Sequence, residues 1–244
     1  MKVAKALAPF RALGLALLSL FAPWRCRICY AILPDDADNH YLCPACRNQQ
    51  QAAPPPAALL SRAAQTAAPD ECALSLVMAC WSADPRLRPG LFDLIRALKY
   101  YGYWRIGVEL GTEVGRCVMQ LSPVRYDAIV PVPIHPARRR ERGYNQAEAI
   151  AEGVAQVLGC PIWSTVLRRT RHTPSQTQLS ASERITNLRN AFGAGKKAAA
   201  LRDATILIVD DVFTTGATLH SVATAARRYG AARVDAATII VTQP

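Results

Sequence analysis

A short stretch near the carboxyl terminus constrains the fold of this chain more than any other. Residues 205–209, with the sequence TILIV, form an uninterrupted β-branched and aliphatic run. Such a run is typical of a strand that is buried on both faces, as in a parallel sheet. Two aspartates, Asp210 and Asp211, follow this run, and a helix-competent segment begins at Ala217. Because ligands bind at the carboxyl edge of open α/β sheets, we expect the chemistry of the protein here.

The turn after the two aspartates has the composition of a phosphate cradle. Glycine lets successive N–H groups converge, the following helix N-terminus adds positive potential, and hydroxyls add donors. A P-loop is a poor alternative, because its glycine-rich run and its Lys-Ser/Thr pair are absent here. An acidic pair beside such a cradle suits a ribose 5-phosphate, although capping acids before a tight turn would also explain the pattern. The predicted cradle consists of Thr214, Thr215, Gly216, Ala217 and Thr218.

The same residues match a family motif, in which a hydrophobic strand precedes two aspartates, two variable positions and Thr-Thr-Gly-x-Thr. The stretch resembles the phosphoribosyl pyrophosphate (PRPP) motif of type I phosphoribosyltransferases. Further strands are expected at 73–81, 128–133 and 234–241, with helices between them. This alternation predicts parallel pairing with right-handed crossovers. We therefore expect an α/β fold, a type I phosphoribosyltransferase-like parallel sheet flanked by helices.

A basic segment follows the second predicted strand. Residues 134–146 form a predicted loop with four arginines, which are Arg138, Arg139, Arg140 and Arg142. Arginines next to a strand end can bind a polyanion such as pyrophosphate, because each guanidinium donates in pairs to phosphate oxygens. A solvated basic loop is the alternative. Residues 168–178 are also polar and basic, and they suit a mobile lid over the phosphates.

Helices are expected to carry other charged residues of this region. Arg96 and Lys99 lie on a helix that begins at the Pro-Gly pair of residues 89–90, where they are either solvated charges or site cations. A second helix is expected over 106–121. Ser180 and Glu183 form a capping box for a helix after the predicted lid.

Four of the eight cysteines have the spacing of a metal site. Two Cys-x-x-Cys pairs are separated by thirteen residues, and they are Cys26, Cys29, Cys43 and Cys46. Two such knuckles complete a tetrahedral sulfur cage, for which a structural zinc ion is the expected occupant. A redox pair or disulfides are the alternatives. The other cysteines are scattered in apolar segments, which is typical of a reducing compartment, so we expect a cytoplasmic protein.

The 244 residues leave room for one domain of ordinary size and a small appendage. An amphipathic helix is expected over 1–23, in preference to a secretory signal or a membrane anchor, and no transmembrane span is expected. A small four-cysteine zinc ribbon should cover 24–47. Residues 48–71, rich in proline, alanine and glutamine, are predicted to be a linker. The phosphoribosyltransferase-like domain should cover 72–244.

Several motifs follow one another in a characteristic order along residues 24–244. Besides the cysteine pairs and the Asp-Asp motif, they are Pro-Val-Pro (131–133), Arg-Gly-Tyr-Asn-Gln (142–146), Thr-x-x-Gln-x-x-Leu (173–179), Glu-Arg-x-x-Asn (183–187) and Ala-Phe (191–192). This order resembles the ComF family, the ComFC or GntX-like group, in which a cysteine zinc ribbon precedes a phosphoribosyltransferase domain. Tyr144 stands where the family pattern has phenylalanine, which leaves the ring in place.

The resemblance implies a cytosolic protein that takes part in DNA uptake during natural transformation, with a ComFA-like helicase as partner. By motif position it implies that Asp210 and Asp211 bind the ribose hydroxyls of PRPP. It likewise implies that residues 214–218 bind the 5-phosphate and that the basic loop binds pyrophosphate. Mg²⁺ would bridge pyrophosphate and ribose oxygens. The resemblance identifies no acceptor and establishes no reaction.

Two functions from different classes follow from these observations. The first is a Mg²⁺-dependent phosphoribosyltransferase, in which Asp210 and Asp211 are the catalytic pair. The second is a non-catalytic adaptor of the transformation machinery that senses PRPP or holds single-stranded DNA. The formal net charge of +11 favours acidic partners, which include both ligands. Stacking aromatic residues are sparse among the basic ones in the sequence, which weakens the case for DNA.

Overall fold

The computed structural model describes residues 23–67, 72–84, 89–170 and 191–242. It divides the chain into two compact units, Met1–Gln50 and Gln51–Pro244. The expected amphipathic helix lies outside the described residues except for Pro23. The expected lid lies outside them after Thr170, as does the helix with the capping box. Within the described residues, no helix is both long and apolar enough to cross a membrane.

The described part of the first unit, residues 23–50, is built around turns. An isolated antiparallel bridge joins Arg25 to Ile32, and the Cys26 N–H donates to the Ala31 carbonyl across the turn at 2.9 Å. Helix α1 (Pro44–Asn48) begins after Cys43, whose sulfur accepts from the Cys46 N–H at 3.3 Å. Both cysteine pairs therefore lie on tight backbone turns that direct sulfur atoms inward.

The second unit contains a five-stranded sheet in the order β1-β2-β7-β6-β3. Its outermost strand β1 pairs antiparallel with β2, and the other three pairings are parallel. The expected fold class is thus confirmed, with one short antiparallel edge. A separate two-stranded sheet pairs β4 with β5. The strands are β1 (Gln51–Ala52), β2 (Leu76–Ala83), β3 (Ala128–Pro131), β4 (Leu167–Arg169), β5 (Phe192–Ala194), β6 (Thr205–Phe213) and β7 (Arg233–Thr242).

Six helices of the second unit surround the sheet in the described residues, together with a 3₁₀ turn at Ala198–Leu201. The core of the unit consists of aliphatic side chains from β2, β6 and β7, which pack with those of the helices. The helices are α2 (Pro56–Ala64), α3 (Pro89–Tyr100), α4 (Trp104–Leu121), α5 (Pro136–Arg142), α6 (Gln146–Leu158) and α7 (Ala217–Arg228).

The segment predicted to be a linker, 48–71, is partly structured. Strand β1 adds to the edge of the sheet, and α2 packs against the core through Leu59 and Ala63, which are 1% and 0% exposed. The linker prediction was wrong for these residues because it relied on composition. Pro56 can occupy the first position of a helix without losing a hydrogen bond, and the following alanines and leucines favour a helix once one face is covered.

The basic segment after β3 is a helix, so the prediction of a loop at 134–146 was wrong for most of its length. His135 caps α5, because its Nδ1 accepts from the Ala137 N–H at 3.2 Å. Pro136 provides a favourable first turn, and Gly143 ends the helix with a φ of 82°. The next cap is Asn145, whose side chain accepts from the Ala147 N–H at 3.1 Å and so begins α6.

Helices α4 and α6 pack closely because small residues face each other. A methyl group on Gly153 of α6 would overlap the carbonyl oxygen of Val108, and one on Gly111 of α4 would overlap that of Ile150. Gly107 likewise faces Ala149. Glycines four residues apart on α4 therefore form a groove that fits the backbone of α6. This contact positions the N-terminus of α6 at the carboxyl edge of the sheet.

Candidate functional site

A cavity of about 490 Å³ lies at the carboxyl edge of the parallel sheet. Residues of β6, α3 and α5 line it, together with the first turns of α6 and α7. The two aspartates are its acidic residues. Its cations are Arg96, Lys99, Arg138, Arg142 and Arg169. A cavity with five cations and two neighbouring carboxylates suits a ligand that is a polyanion and also carries hydroxyl groups.

The acidic pair lies at the end of β6 rather than after it. Asp210 pairs with Thr238 of β7, and β6 continues to Phe213 because β7 is long enough to pair with it. The Asp211 side chain is 5% exposed. The backbone N–H of Asp211 donates to Asp210 Oδ1 at 2.9 Å. Both carboxyl groups line the cavity. The structure thus brings the two predicted carboxylates together in one buried place.

Lys99 of α3 is the counter-ion of this pair. Its ammonium contacts Asp211 Oδ2 in a largely buried ion pair. Burial alone would raise the pKa of Asp211, but Lys99, together with hydrogen bonds to Asp210 and Gln146, outweighs burial and lowers it. Burial and the adjacent charge of Asp211 raise the pKa of Asp210 well above its usual range. The two carboxyl groups therefore differ in acidity, and Lys99 is the counter-ion of the more acidic one, Asp211.

The predicted phosphate cradle is a tight turn between β6 and α7. Thr214 and Thr218 line the cavity, whereas Thr215 uses its hydroxyl inside the turn, where it accepts from the Ala217 N–H at 3.3 Å. Gly216 has a φ of 89° and precedes the first residue of α7. The Ala217 N–H is therefore taken, whereas the next N–H groups of the helix lack acceptors within it and are available to an anion.

The four predicted arginines do not share one environment. Arg138 and Arg142 line the cavity. Arg139 instead makes a bidentate ion pair with Glu148, at 2.7 and 3.0 Å, and Arg140 is exposed and does not line the cavity. The difference follows from the helix, because residues of α5 at successive positions point in different directions.

Each residue of the Arg-Gly-Tyr-Asn-Gln motif has a definable structural task. Arg142 donates to Gln146 Oε1 at 3.0 Å, and the Gln146 side chain in turn hydrogen-bonds Asp211. Gly143 ends α5. The Tyr144 hydroxyl donates to the Leu98 carbonyl at the end of α3. Asn145 is 2% exposed and donates to the Val132 carbonyl at 3.0 Å. The motif therefore ties α3, β3 and α6 together around the acidic pair.

Sequence reasoning left three cavity residues without a defined role, namely Lys99, Gln146 and Arg169. A signal existed for the first, because Phe92, Ile95, Arg96 and Lys99 have the i, i+3, i+4, i+7 spacing of one helical face, and all four line the cavity. Arg169 belongs to the start of the segment predicted as a lid, and the structure places it in β4. Burial and the nearby charge of Arg138 lower its pKa, as expected where cations are gathered to receive an anion.

The four cysteines of the first unit form a separate cluster. The sulfur atoms of Cys26, Cys29, Cys43 and Cys46 all lie within 4.8 Å of one another. Burial disfavours the Cys26 thiolate, but N–H groups of Cys43, Cys29 and Ile28 outweigh burial and lower its pKa to about 7. Burial and the neighbouring thiols raise the pKa of Cys46. Four thiolates can coexist at this distance only around a cation, so the cluster can hold a structural zinc ion.

Comparisons with known proteins cover parts of the chain. The phosphoribosyl transferase domain family matches residues 145–243. Competence protein F of Haemophilus influenzae is 35% identical over 109 residues, which are 45% of this chain and 48% of that protein. DNA utilization protein YhgH of Salmonella typhi is 41% identical over 109 residues, which are 45% of this chain and 47% of that protein. The chain spans about half the length of these curated relatives.

Competence protein ComFC of Bacillus subtilis is 33% identical over 152 residues, which are 61% of this chain and 58% of that protein. Among solved structures, the allosteric regulatory enzyme of purine biosynthesis aligns with a TM-score of 0.39 at 20% identity, over 58% of this chain and 29% of that chain. The chain is therefore a homologue of the proteins named competence protein F, YhgH and ComFC, and it carries a phosphoribosyl transferase domain.

Proposed function

We propose that the cavity binds PRPP with Mg²⁺ and that the protein transfers the phosphoribosyl group to an acceptor. One observation carries the proposal, which is that an acidic pair, two threonines of the turn after it and a set of cations line the same cavity. Each of the three fits one part of the ligand. Ribose hydroxyls suit the acidic pair, the 5-phosphate suits the turn, and pyrophosphate suits the cations.

In this assignment, Asp210 and Asp211 bind the ribose hydroxyls. Thr214, Thr218 and the N-terminus of α7 receive the 5-phosphate, while Arg138, Arg142 and Arg169 receive the pyrophosphate. Positive charge develops on C1 of the ribose as pyrophosphate leaves, and the buried carboxylates stabilise that charge. The arginines stabilise the negative charge that collects on the leaving group.

The carboxylate oxygens fit a hard cation such as Mg²⁺, which prefers oxygen ligands and keeps part of its water shell. When it is bound, Mg²⁺ supplies charge neutralisation between pyrophosphate and ribose oxygens. Asp210 and Asp211 are the residues that would hold it beside the ligand. Every other contribution in this proposal comes from the side chains of the cavity.

Calorimetric titration with PRPP in the presence of Mg²⁺ tests the proposal. We expect the wild type to bind and the variant Asp210→Asn/Asp211→Asn to lose binding while it keeps its fold. The matched control is Asp35→Asn/Asp36→Asn, which makes the same change in charge at two exposed positions of the other unit. PRPP binding that survives in the site variant, or is lost equally in the control, would contradict the assignment.

For the cellular role, we propose DNA uptake or utilisation in a cytoplasmic setting, with a helicase-like partner. The support comes from the names of the homologues, which refer to competence and to DNA utilization. Deletion of the gene, complemented by wild type or by the Asp210→Asn/Asp211→Asn variant, tests this role. Transformation efficiency that depends on the intact acidic pair would link the cavity to the role.

The structure also favours a second candidate function, the binding of single-stranded DNA. Three tyrosines between α3 and α4 are exposed, namely Tyr100 (64%), Tyr101 (68%) and Tyr103 (39%). Arg142 lies over the Tyr100 ring at 5.1 Å, so this aromatic patch adjoins the basic cavity. Aromatic rings beside cations are the usual surface for stacking unpaired bases. The aromatic residues that are sparse in sequence are thus concentrated in space.

Fluorescence anisotropy with a labelled oligothymidylate tests this candidate. We expect Tyr100→Ala/Tyr101→Ala to weaken binding by about 1–3 kcal/mol for each stacked base that is lost. Tyr30→Ala is the matched control, because Tyr30 is 70% exposed and belongs to the first unit. Binding should also fall steeply with salt. An affinity for the oligonucleotide that changes neither in Tyr100→Ala/Tyr101→Ala nor with the salt concentration would exclude this function.

A further inference from the structure

Lys99 and Asp211 form an ion pair inside the cavity that the proposed ligand must enter. The lysine side chain is 24% exposed and the aspartate side chain 5% exposed. Two more charges face the ammonium, Asp210 from β6 and Arg142 from α5. Burial opposes the charge of Lys99, but Asp211 and Asp210 together raise the pKa of its ammonium. The direct contact with Asp211 Oδ2 places this ammonium next to the carboxylates.

The backbone around Lys99 is held on both sides. The carbonyl of the preceding residue, Leu98, accepts from the Tyr144 hydroxyl, and the ring of the following residue, Tyr100, lies under Arg142. The Tyr144 ring also packs edge-to-face with Trp104 at 5.4 Å between ring centroids. Because α3 is anchored in this way, a ligand can displace the long side chain of Lys99 without moving the helix.

A ribose whose hydroxyls bind the acidic pair competes with Lys99 for the Asp211 oxygen. Displacing the ammonium without giving it another anion would leave a buried charge unpaired, which is strongly unfavourable. In PRPP, the 2-hydroxyl and the pyrophosphate are carried by adjacent carbon atoms. The ligand that takes the carboxylate from Lys99 therefore brings a new anion to the same place.

We infer that Lys99 is an exchangeable counter-ion, which holds Asp211 when no ligand is bound and binds the pyrophosphate when the ribose hydroxyls replace it. This inference rests on the proposed function of the cavity. It makes Lys99 a specificity-determining residue. A ligand that has ribose hydroxyls and no anion on the neighbouring carbon, such as ribose 5-phosphate, displaces the ammonium without compensation and binds weakly.

Calorimetric titration of the full-length protein with PRPP and with ribose 5-phosphate, both with Mg²⁺, tests the inference. We expect Lys99→Met to raise the Kd for PRPP about 10- to 100-fold, the loss of one charge-assisted contact. The Kd for ribose 5-phosphate should stay the same or fall, because the competing ammonium is gone. Lys99→Arg should keep most of the PRPP affinity. Lys197→Met removes one exposed lysine charge elsewhere and should leave both affinities unchanged.

Unfolding of the ligand-free variants separates recognition from folding. Lys99→Met leaves Asp211 buried without its partner and should lower the melting temperature, and the double variant Lys99→Met/Asp211→Asn should recover it. The double variant should still bind PRPP poorly. Equal loss of affinity for both ligands in Lys99→Met, or no loss for either, would overturn this inference and leave the proposed function standing. A wild type that binds no PRPP would refute the proposed function and the inference with it.

Discussion

Substitution of Gly216 by alanine should destabilise the second unit through two separable effects. The residue has a φ of +89°, where an L-residue costs about 1–2 kcal/mol more than glycine. Its added Cβ would also lie 2.8 Å from Ala63 Cα, 2.9 Å from Ala63 Cβ and 3.0 Å from Phe213 Cε2. Overpacking of this kind costs about 1–3 kcal/mol, because two of the three neighbouring atoms belong to Ala63, which is fully buried.

The expected loss for Gly216→Ala is therefore about 2–5 kcal/mol in the free energy of unfolding. Gly159→Ala is the matched control, because Gly159 also has a positive φ, of +67°, and no atom lies within 4 Å of its added Cβ. The control should show the backbone effect alone. Urea unfolding, monitored by circular dichroism, gives the loss in the free energy of unfolding for each variant. The difference between the two losses measures the cost of the contact with α2.

The double variant Gly216→Ala/Ala63→Gly tests the same contact from the other side. It removes the Cβ of Ala63 but not its Cα, so it should recover part of the stability. If Gly216→Ala and Gly159→Ala lose the same free energy of unfolding, the close packing of α2 on the turn at 214–218 would be refuted.

The other predictions concern the four-cysteine cluster, the helix packing and a buried carboxylate. Cys26→Ser or a strong chelator should unfold the first unit and spare the second, because structural zinc sites supply most of the folding energy of their modules; metal analysis and proteolysis of the two units check this. Gly153→Ala should cost at least about 3 kcal/mol, since its methyl group would overlap the Val108 carbonyl. Gly102→Ala has no atom within 4 Å of its added Cβ, so in the same urea assay it should cost only the about 1–2 kcal/mol of its positive φ of +73°. Tyr126→Phe should cost about 1.5–3 kcal/mol, because the hydroxyl donates at 2.8 Å to Asp235, which is fully buried; urea unfolding at the wild-type midpoint would contradict that role.

Local patterns were enough to predict the central strands and the cysteine cluster. The run at 205–209 became the core of β6, and the segment from Ala217 became α7. The cysteine spacing predicted a cluster that the structure confirms. These features are determined by residues a few positions apart, whose periodicity and turn chemistry are readable without knowledge of the rest of the chain.

Composition was a weaker guide where the environment decided the outcome. Residues 51–64 have the composition of a linker, yet Leu59 and Ala63 are buried and α2 covers the phosphate turn. The four arginines near 138–142 look equivalent in sequence, but α5 directs two of them to the cavity and pairs Arg139 with Glu148. Whether a helix forms and which face it buries depend on surfaces that are remote in sequence.

The sequence alone therefore determined the parallel sheet, the acidic pair with the threonine-rich turn that follows it, and the cluster of four cysteines. Only the tertiary structure decided that Lys99 neutralises Asp211, that Gln146 links Arg142 to the same carboxylate, and that three tyrosines adjoin the cavity. The physical reason is that ion pairs and shared surfaces between distant residues depend on how helices pack across the sheet. For Lys99, the glycine groove between α4 and α6 and the hydroxyl of Tyr144 set that packing.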